Sequence, residues 1–209
     1  SATVSDYTDW SLAAVFGRIN YDYKGKYLLE ANFRREGSSR FGKNNKYGNF
    51  PSASVGWRIS QEDFFPKDGA VSDLKIRASY GKTGNSAIGD FDQYGQIISI
   101  PNLSNLAVNY NYVLGGSTVV GKALTSLGDE NLKWETSTQL DIGLNVGVFN
   151  NRLNLKVDYY RMITSNMLFN VSLPQASGFT TTRINAGRML NTGWDFEASS
   201  SLTAGSISW

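Results

Sequence analysis

Apolar and polar residues alternate along most of this chain, and a period of two is met only by extended backbone presenting two unlike faces. From Val15 the odd positions read Val15, Gly17, Ile19, Tyr21, Tyr23 against Phe16, Arg18, Asn20, Asp22. After Lys24-Gly25-Lys26 the chain turns back, with Tyr27, Leu29, Ala31, Phe33 against Leu28, Glu30, Asn32, Arg34. That pattern is a hairpin with one apolar face and one polar, partly charged face. The grammar recurs: Ala53, Val55, Trp57, Ile59 oppose Ser52, Ser54, Gly56, Arg58, and Leu74, Ile76, Ala78, Tyr80 oppose Lys75, Arg77, Ser79, Gly81. The longest run sets Trp134, Thr136, Thr138, Leu140, Ile142, Leu144, Val146, Val148 against Glu135, Ser137, Gln139, Asp141, Gly143, Asn145, Gly147. Leu153, Leu155, Val157, Tyr159 then alternate with Asn154, Lys156, Asp158, Tyr160, and Trp194, Phe196, Ala198 with Asp195, Glu197, Ser199. Upstream, Trp10, Leu12 and Ala14 fall on the polar side, which leaves a bulge or a packed inner face as open readings.

Connection lengths carry a second pattern. Tight turns are expected at Lys24–Lys26 and Phe149–Arg152, with a medium connection from Gln61 to Ser72. Long polar segments occupy Gly37–Asn49, Thr83–Asn131 and Met162–Gly187. Short turns at one end and long loops at the other are the plan of an outer-membrane barrel, and soluble sandwiches seldom carry loops that long. The run from Trp134 to Val148, about 15 residues, exceeds the roughly 9–11 that cross a bilayer. On the barrel reading, the polar set lines the lumen: Arg18, Asn20, Glu30, Asn32, Arg34, Arg58, Lys75, Arg77, Glu135, Gln139, Asp141, Lys156, Asp158, Asp195 and Glu197. The apolar set faces lipid: Ile19, Tyr21, Tyr23, Tyr27, Leu29, Phe33, Val55, Trp57, Ile76, Tyr80, Trp134, Leu140, Ile142, Leu144, Val157, Tyr159, Trp194 and Phe196. Tyr21, Tyr23 and Tyr27 then cluster at the short-turn end and Trp134 and Tyr80 near the other rim, as amphipathic rings do at lipid boundaries.

Composition is compatible with this and closes other routes. Gly occurs 21 times and Pro 4, with 11 Tyr and 11 Phe, a mix suited to strands joined by polar turns. No stretch approaches the run of about 18 apolar residues that a spanning helix needs, a test blind to strands. A net charge of +2 gives no reason to expect nucleic acid as a partner. The chain has no Cys and no His, so disulfides, thiolate chemistry and the commonest general base and metal ligand are missing; no metal, no cofactor and no enzyme activity are expected. The acid pairs Glu62-Asp63, Asp90/Asp92 and Asp129-Glu130 fall in turns, where solvated loop acids are the expected reading over a hydrolytic pair or a calcium site. Gly81-Lys82-Thr83-Gly84-Asn85 is an incomplete phosphate loop with no helix after it. Ser1-Ala2-Thr3-Val4 lacks a basic region followed by an apolar core, and the chain is expected to start inside a longer polypeptide.

Several segments resemble the C-terminal barrel region of the SusC/RagA family of TonB-linked transporters. Tyr27 through Gly42 (YLLEANFRREGSSRFG) resembles the strand and loop R-x-D-G-S-S-R-F-G, with Glu36 in place of Asp. Pro51–Phe65, Leu74–Asn85 and Asn131-Leu132-Lys133-Trp134-Glu135 resemble later strands and the N-L-x-W-E strand entry. Leu173-Pro174, Gly178-Phe179, Asn185-Ala186-Gly187, Asn191-Thr192-Gly193 and Asp195 resemble P-x-x-x-G-F…N-x-G-x-x-x-N-x-G-x-E, with Asp195 for Glu. The resemblance implies an all-β fold: an antiparallel transmembrane barrel segment of about seven or eight strands within a barrel of about 22, with long extracellular loops. It places the chain in the outer membrane of a Gram-negative, Bacteroidetes-like bacterium. Residues 1–209 are expected to be part of one barrel domain, with plug and TonB box outside the chain. It also implies import of oligosaccharides or peptides, a SusD-like surface lipoprotein at the mouth, and coupling to TonB–ExbB–ExbD through the missing N-terminal part. Tyr94, Tyr110, Tyr112 and Phe179 are loop aromatics able to stack on a substrate. The competing reading is a soluble, secreted β-sandwich that binds carbohydrate through its loops.

Overall fold

The computed structural model describes residues 8–99, 112–119, 122–179, 181–200, 203–204 and 207–208. Seven long strands form one sheet: β1 (Leu12–Tyr23), β2 (Tyr27–Ser38), β3 (Tyr47–Arg58), β4 (Val71–Asn85), β5 (Glu135–Val148), β6 (Leu153–Ser165) and β7 (Arg188–Ser200). Spatial order equals chain order and every pairing is antiparallel, so the wall is an up-and-down meander.

Turn chemistry sets the short-turn end. Lys24 and Gly25 both take positive φ (56° and 67°), the handedness that matches strand twist in tight hairpins. Asp22 Oδ1 accepts the Gly25 N–H at 2.7 Å, and Lys26 N–H donates to the Tyr23 carbonyl at 3.0 Å. Between β5 and β6, Phe149, Asn150 and Asn151 are all left-handed, a costly state for a phenylalanine. The turn is held from outside, by Phe149 N–H on the Ala70 carbonyl (2.9 Å) and Asn151 N–H on Ser72 Oγ (3.0 Å). The connection from β3 to β4 opens with a single 3-10 turn at Ile59–Gln61, and a register irregularity at Val71/Asp73 starts β4.

At the other end the strands run further than expected into the first and third long segments, and the second and third segments carry their own β-ribbons. Gln96–Ser99 pairs with Lys122–Ser126, Tyr112–Leu114 with Ser117–Val119, and Leu168–Ser172 with Thr181–Asn185. β1 pairs with β2 in unbroken register from Leu12 to Tyr23, so no bulge explains the apolar residues on its polar side. Trp10 instead lies under the Arg40 guanidinium, 4.2 Å from ring centroid to Cζ.

Paired residues of an antiparallel sheet share a face, and the register therefore sorts the wall without reference to side-chain angles. One row runs Tyr21–Leu29–Val55–Ala78–Ile142–Tyr159–Trp194, and the next Tyr23–Tyr27–Trp57–Ile76–Leu144–Val157–Phe196. Nothing in the described residues covers this face: Ile19 is 73% exposed, Trp194 63% and Phe196 74%. The hydrophobic core lies elsewhere, at the long-loop end, where Phe41, Phe50, Ile88, Leu132 and Trp134 are buried together. Trp134 is a correction to the sequence reading, which put it on the apolar face by parity. It precedes β5 by one residue, outside the pairing that fixes side-chain direction, and packs against Phe41 (ring centroids 4.9 Å) and Phe50 (5.4 Å).

Candidate functional site

The structure puts every other residue of the expected lipid-facing set on one face of the sheet and the whole expected lumen set on the opposite face. On the polar face charges are arranged in rows across strands. Arg77 on β4 reaches over β5 to Asp158 on β6, with Nη2–Oδ2 at 2.5 Å, while its Nε donates to Asn145 Oδ1 at 3.1 Å. Gly143 sits between the partners, and any side chain there would run into both. Lys156 binds both oxygens of Glu197 at 2.9 Å, and Arg34 meets Glu36 at 2.7 Å. Arg18 is 3.9 Å from Glu30 and donates to Asn32 Oδ1 at 2.6 Å. Asp141 accepts from Gln139 (2.8 Å) and Ser79 (3.2 Å).

Glu62 is the residue whose importance the sequence concealed. Far from being a solvated loop acid, it is buried at the short-turn end and accepts three hydrogen bonds: Lys26 Nζ at 2.9 Å, Tyr27 OH at 2.7 Å and Trp57 Nε1 at 3.0 Å. It clamps the β1–β2 turn to the β3–β4 turn and pins a stacked Tyr27–Trp57 pair whose centroids are 6.4 Å apart. The Lys26 ammonium first, then the Tyr27 hydroxyl and the Trp57 indole, hold its carboxyl down at about 2, against an ordinary 4.5; Lys26 in turn is raised by Glu62. A depressed carboxylate stabilises above its unfolded value and loses that contribution as pH falls through the folded one. In detergent-held receptor labelled with fluorotryptophan, the Trp57 resonance is therefore expected to hold through pH 4.5 and move only near pH 2. A midpoint near 4.5 would show that Glu62 is not clamped.

The loop acids are likewise committed. Arg40 pairs with Asp90 at 2.8 Å and Arg183 with Asp92 at 2.6 Å, so a guanidinium already neutralises both carboxylates of the Asp90/Asp92 pair. Asp129 Oδ1 accepts the Asn131 N–H at 2.8 Å, the work of a turn residue. Among the described residues no group of three acids is placed to hold a metal. These ion pairs, with the buried cluster, join three loops (39–46, 86–134 and 166–187) into one rim. Gly42, the last residue of the S-S-R-F-G resemblance, lies hard against the Glu130 backbone, leaving no room for a Cβ. Trp134 Nε1 donates to the Lys46 carbonyl at 3.2 Å and closes the same contact. Of the loop aromatics, Tyr94 is exposed, Phe179 is half-buried, and Tyr112 belongs to a two-stranded ribbon. Tyr110 lies outside the described residues.

A family model for the β-barrel of TonB dependent receptor-like proteins matches residues 1–209. The chain belongs to the TonB-dependent receptor β-barrel family. Within it the relationship is to the SusC/RagA type. TonB-dependent receptor P39 of Formosa agariphila is 42% identical over 93% of this chain, and TonB-dependent receptor SusC of Bacteroides thetaiotaomicron 35% over 89%. The RagAB peptide importer in its closed-closed state superposes with a TM-score of 0.81 at 30% identity over 94% of the chain. The chain spans 18% of the length of each of those two relatives and 20% of that solved chain. It is thus a run of wall from a TonB-dependent receptor barrel of the outer membrane, with the long-loop end as the outer rim and the short-turn end as the periplasmic one.

Proposed function

We propose that this wall belongs to a receptor that imports oligosaccharides or peptides across the outer membrane in a TonB-dependent way. On this reading residues 1–209 are part of one barrel domain, and the plug and the TonB-contacting segment lie elsewhere in the receptor. The apolar rows face lipid and the charged rows face the aqueous interior. A SusD-like lipoprotein meets the outer rim, and TonB–ExbB–ExbD acts through the rest of the receptor. Tyr94 and Phe179 are the described rim aromatics available to a substrate.

The single observation that carries this reading is the uncovered apolar face spanning seven strands in a single layer. Soluble proteins rarely leave contiguous apolar patches above a few hundred Å². A carbohydrate-binding sandwich would need a second sheet packed about 10 Å away on that face. Lipid needs none. The RagAB neighbour is a peptide importer, which favours peptides over oligosaccharides, and uptake assays with both substrate classes decide between them.

Spin labels at Val55, Leu140 and Val157 of the full receptor in outer membranes test the lipid assignment. All three are expected to relax fast with dissolved oxygen and slowly with a water-soluble nickel chelate, and labels at Ser54 and Asp141 the reverse. Aqueous behaviour at the first three positions would overturn the assignment.

A further inference from the structure

The apolar face carries three cations, all on strands that run outward from the short turns: Arg35 on β2, Lys82 on β4 and Arg161 on β6. Each stands two residues beyond an aromatic on the same face, respectively Phe33, Tyr80 and Tyr159. Across the ladder each meets a neutral hydrogen-bonding residue: Asn49, Thr138 and Thr192. A fourth cation, Arg188, opens β7 further out. Every Asp and Glu of the seven strands falls in the opposite rows, and among the described residues none of the three cations has a carboxylate partner. On the polar face, by contrast, Arg77, Lys156 and Arg34 each have one. Arg35 lies instead over the Tyr47 ring, 5.0 Å from Cζ to the centroid.

Register sets the three at one level. Counted outward from the row Tyr27–Trp57–Ile76–Leu144–Val157, Arg35 stands eight residues along β2, Lys82 six along β4 and Arg161 four along β6. The short turns step the other way: that row starts β2 at Tyr27, but meets β6 four residues beyond its first residue, Leu153. Such a stagger is what a tilted barrel wall requires. With it included, two residues at β4 and four at β6, all three cations lie eight residues from the short-turn rim. At about 3.3 Å per residue and a tilt of roughly 35–45°, that is a rise of about 20 Å, near the outer edge of an apolar band about 25 Å tall. A long cationic stem covers the remainder. Rings with cations just outward of them, and no acid between, complement anionic headgroups. We propose that Arg35, Lys82 and Arg161 bind the phosphate groups of outer-leaflet lipid, each with the amide or hydroxyl opposite it as a second donor. Recurrence on every second strand makes this a collar that follows the lipid, where a protein partner would select one patch. The proposal rests on the apolar face meeting lipid.

Native mass spectrometry of the full-length receptor tests it, with diphosphoryl lipid A and the same glycolipid stripped of phosphate as the two probes. The receptor is expected to hold the phosphorylated probe on the order of a hundredfold more tightly, about fivefold for each cation beside a lipid phosphate. Arg35→Gln, Lys82→Gln and Arg161→Gln should each remove about fivefold of that preference, and the triple variant nearly all of it. Lys156→Gln, on the other face of β6, should leave it unchanged. Equal retention of both probes by the parent receptor, or a triple variant that keeps the preference, overturns the headgroup site and leaves the lipid-facing assignment standing. Retention of neither probe overturns both, so the two failures are told apart.

Discussion

Ile142→Arg in the full receptor is expected to destabilise the barrel by about 2–4 kcal/mol, the cost of a cation at bilayer mid-depth. Ile142 stands near the middle of β5, flanked in register by Ala78 and Tyr159, with no charged residue in its row. One residue away, Asp141 points to the opposite face beside Ser79 and Gln139. Asp141→Asn can still accept from Gln139 at Oδ1 and, with Nδ2 donating to Ser79 Oγ, reverse the other bond, and it is expected to shift stability by less than about 0.5 kcal/mol. Urea-dependent folding into lipid vesicles gives both values. Equal effects at the two positions would mean that the faces do not meet different solvents, and the membrane reading would be lost.

The second large effect is expected at the rim. Trp134→Ala removes a fully packed indole from the cluster with Phe41, Phe50 and Leu132, at a cost of about 3–5 kcal/mol. The loss is local, because the wall strands pair through backbone bonds that do not involve Trp134. Limited proteolysis of intact cells should cut the variant within 39–46 or 86–134 at least tenfold faster than the parent, with the barrel still resistant to detergent. Arg183→Gln, which breaks only the Asp92 pair, should give a smaller effect, since a part-exposed ion pair contributes less than a buried ring. A variant that loses the whole barrel would show that the cluster supports the wall and not just the loops.

The strands were legible because alternation is a direct consequence of strand geometry in a sheet with two unlike faces. From Val15 to Phe196 parity alone put side chains on the face where register later placed them. Three things were not legible, each for want of partner information. Trp134 obeys the parity of Leu140 and Ile142, yet the pairing stops at Glu135 and the rule stops with it. Glu62 reads as one acid of a polar turn; only the juxtaposition of two turns, set by the β2–β3 register, brings Lys26, Tyr27 and Trp57 to it. The Arg40 and Arg183 pairs join residues 50 and 91 positions apart, a distance that no local pattern reports.

The meander has a consequence for the order of events during insertion. Each wall strand needs only its chain neighbour, so hairpins can be added one after another with little loop-closure entropy at each step. The rim cannot follow that schedule. Its buried ring draws on residues from Phe41 to Trp134, and the Arg183–Asp92 tie waits for the β6–β7 hairpin. The outer mouth therefore acquires its shape late, and a chain stalled halfway would present an intact partial wall crowned by untied loops.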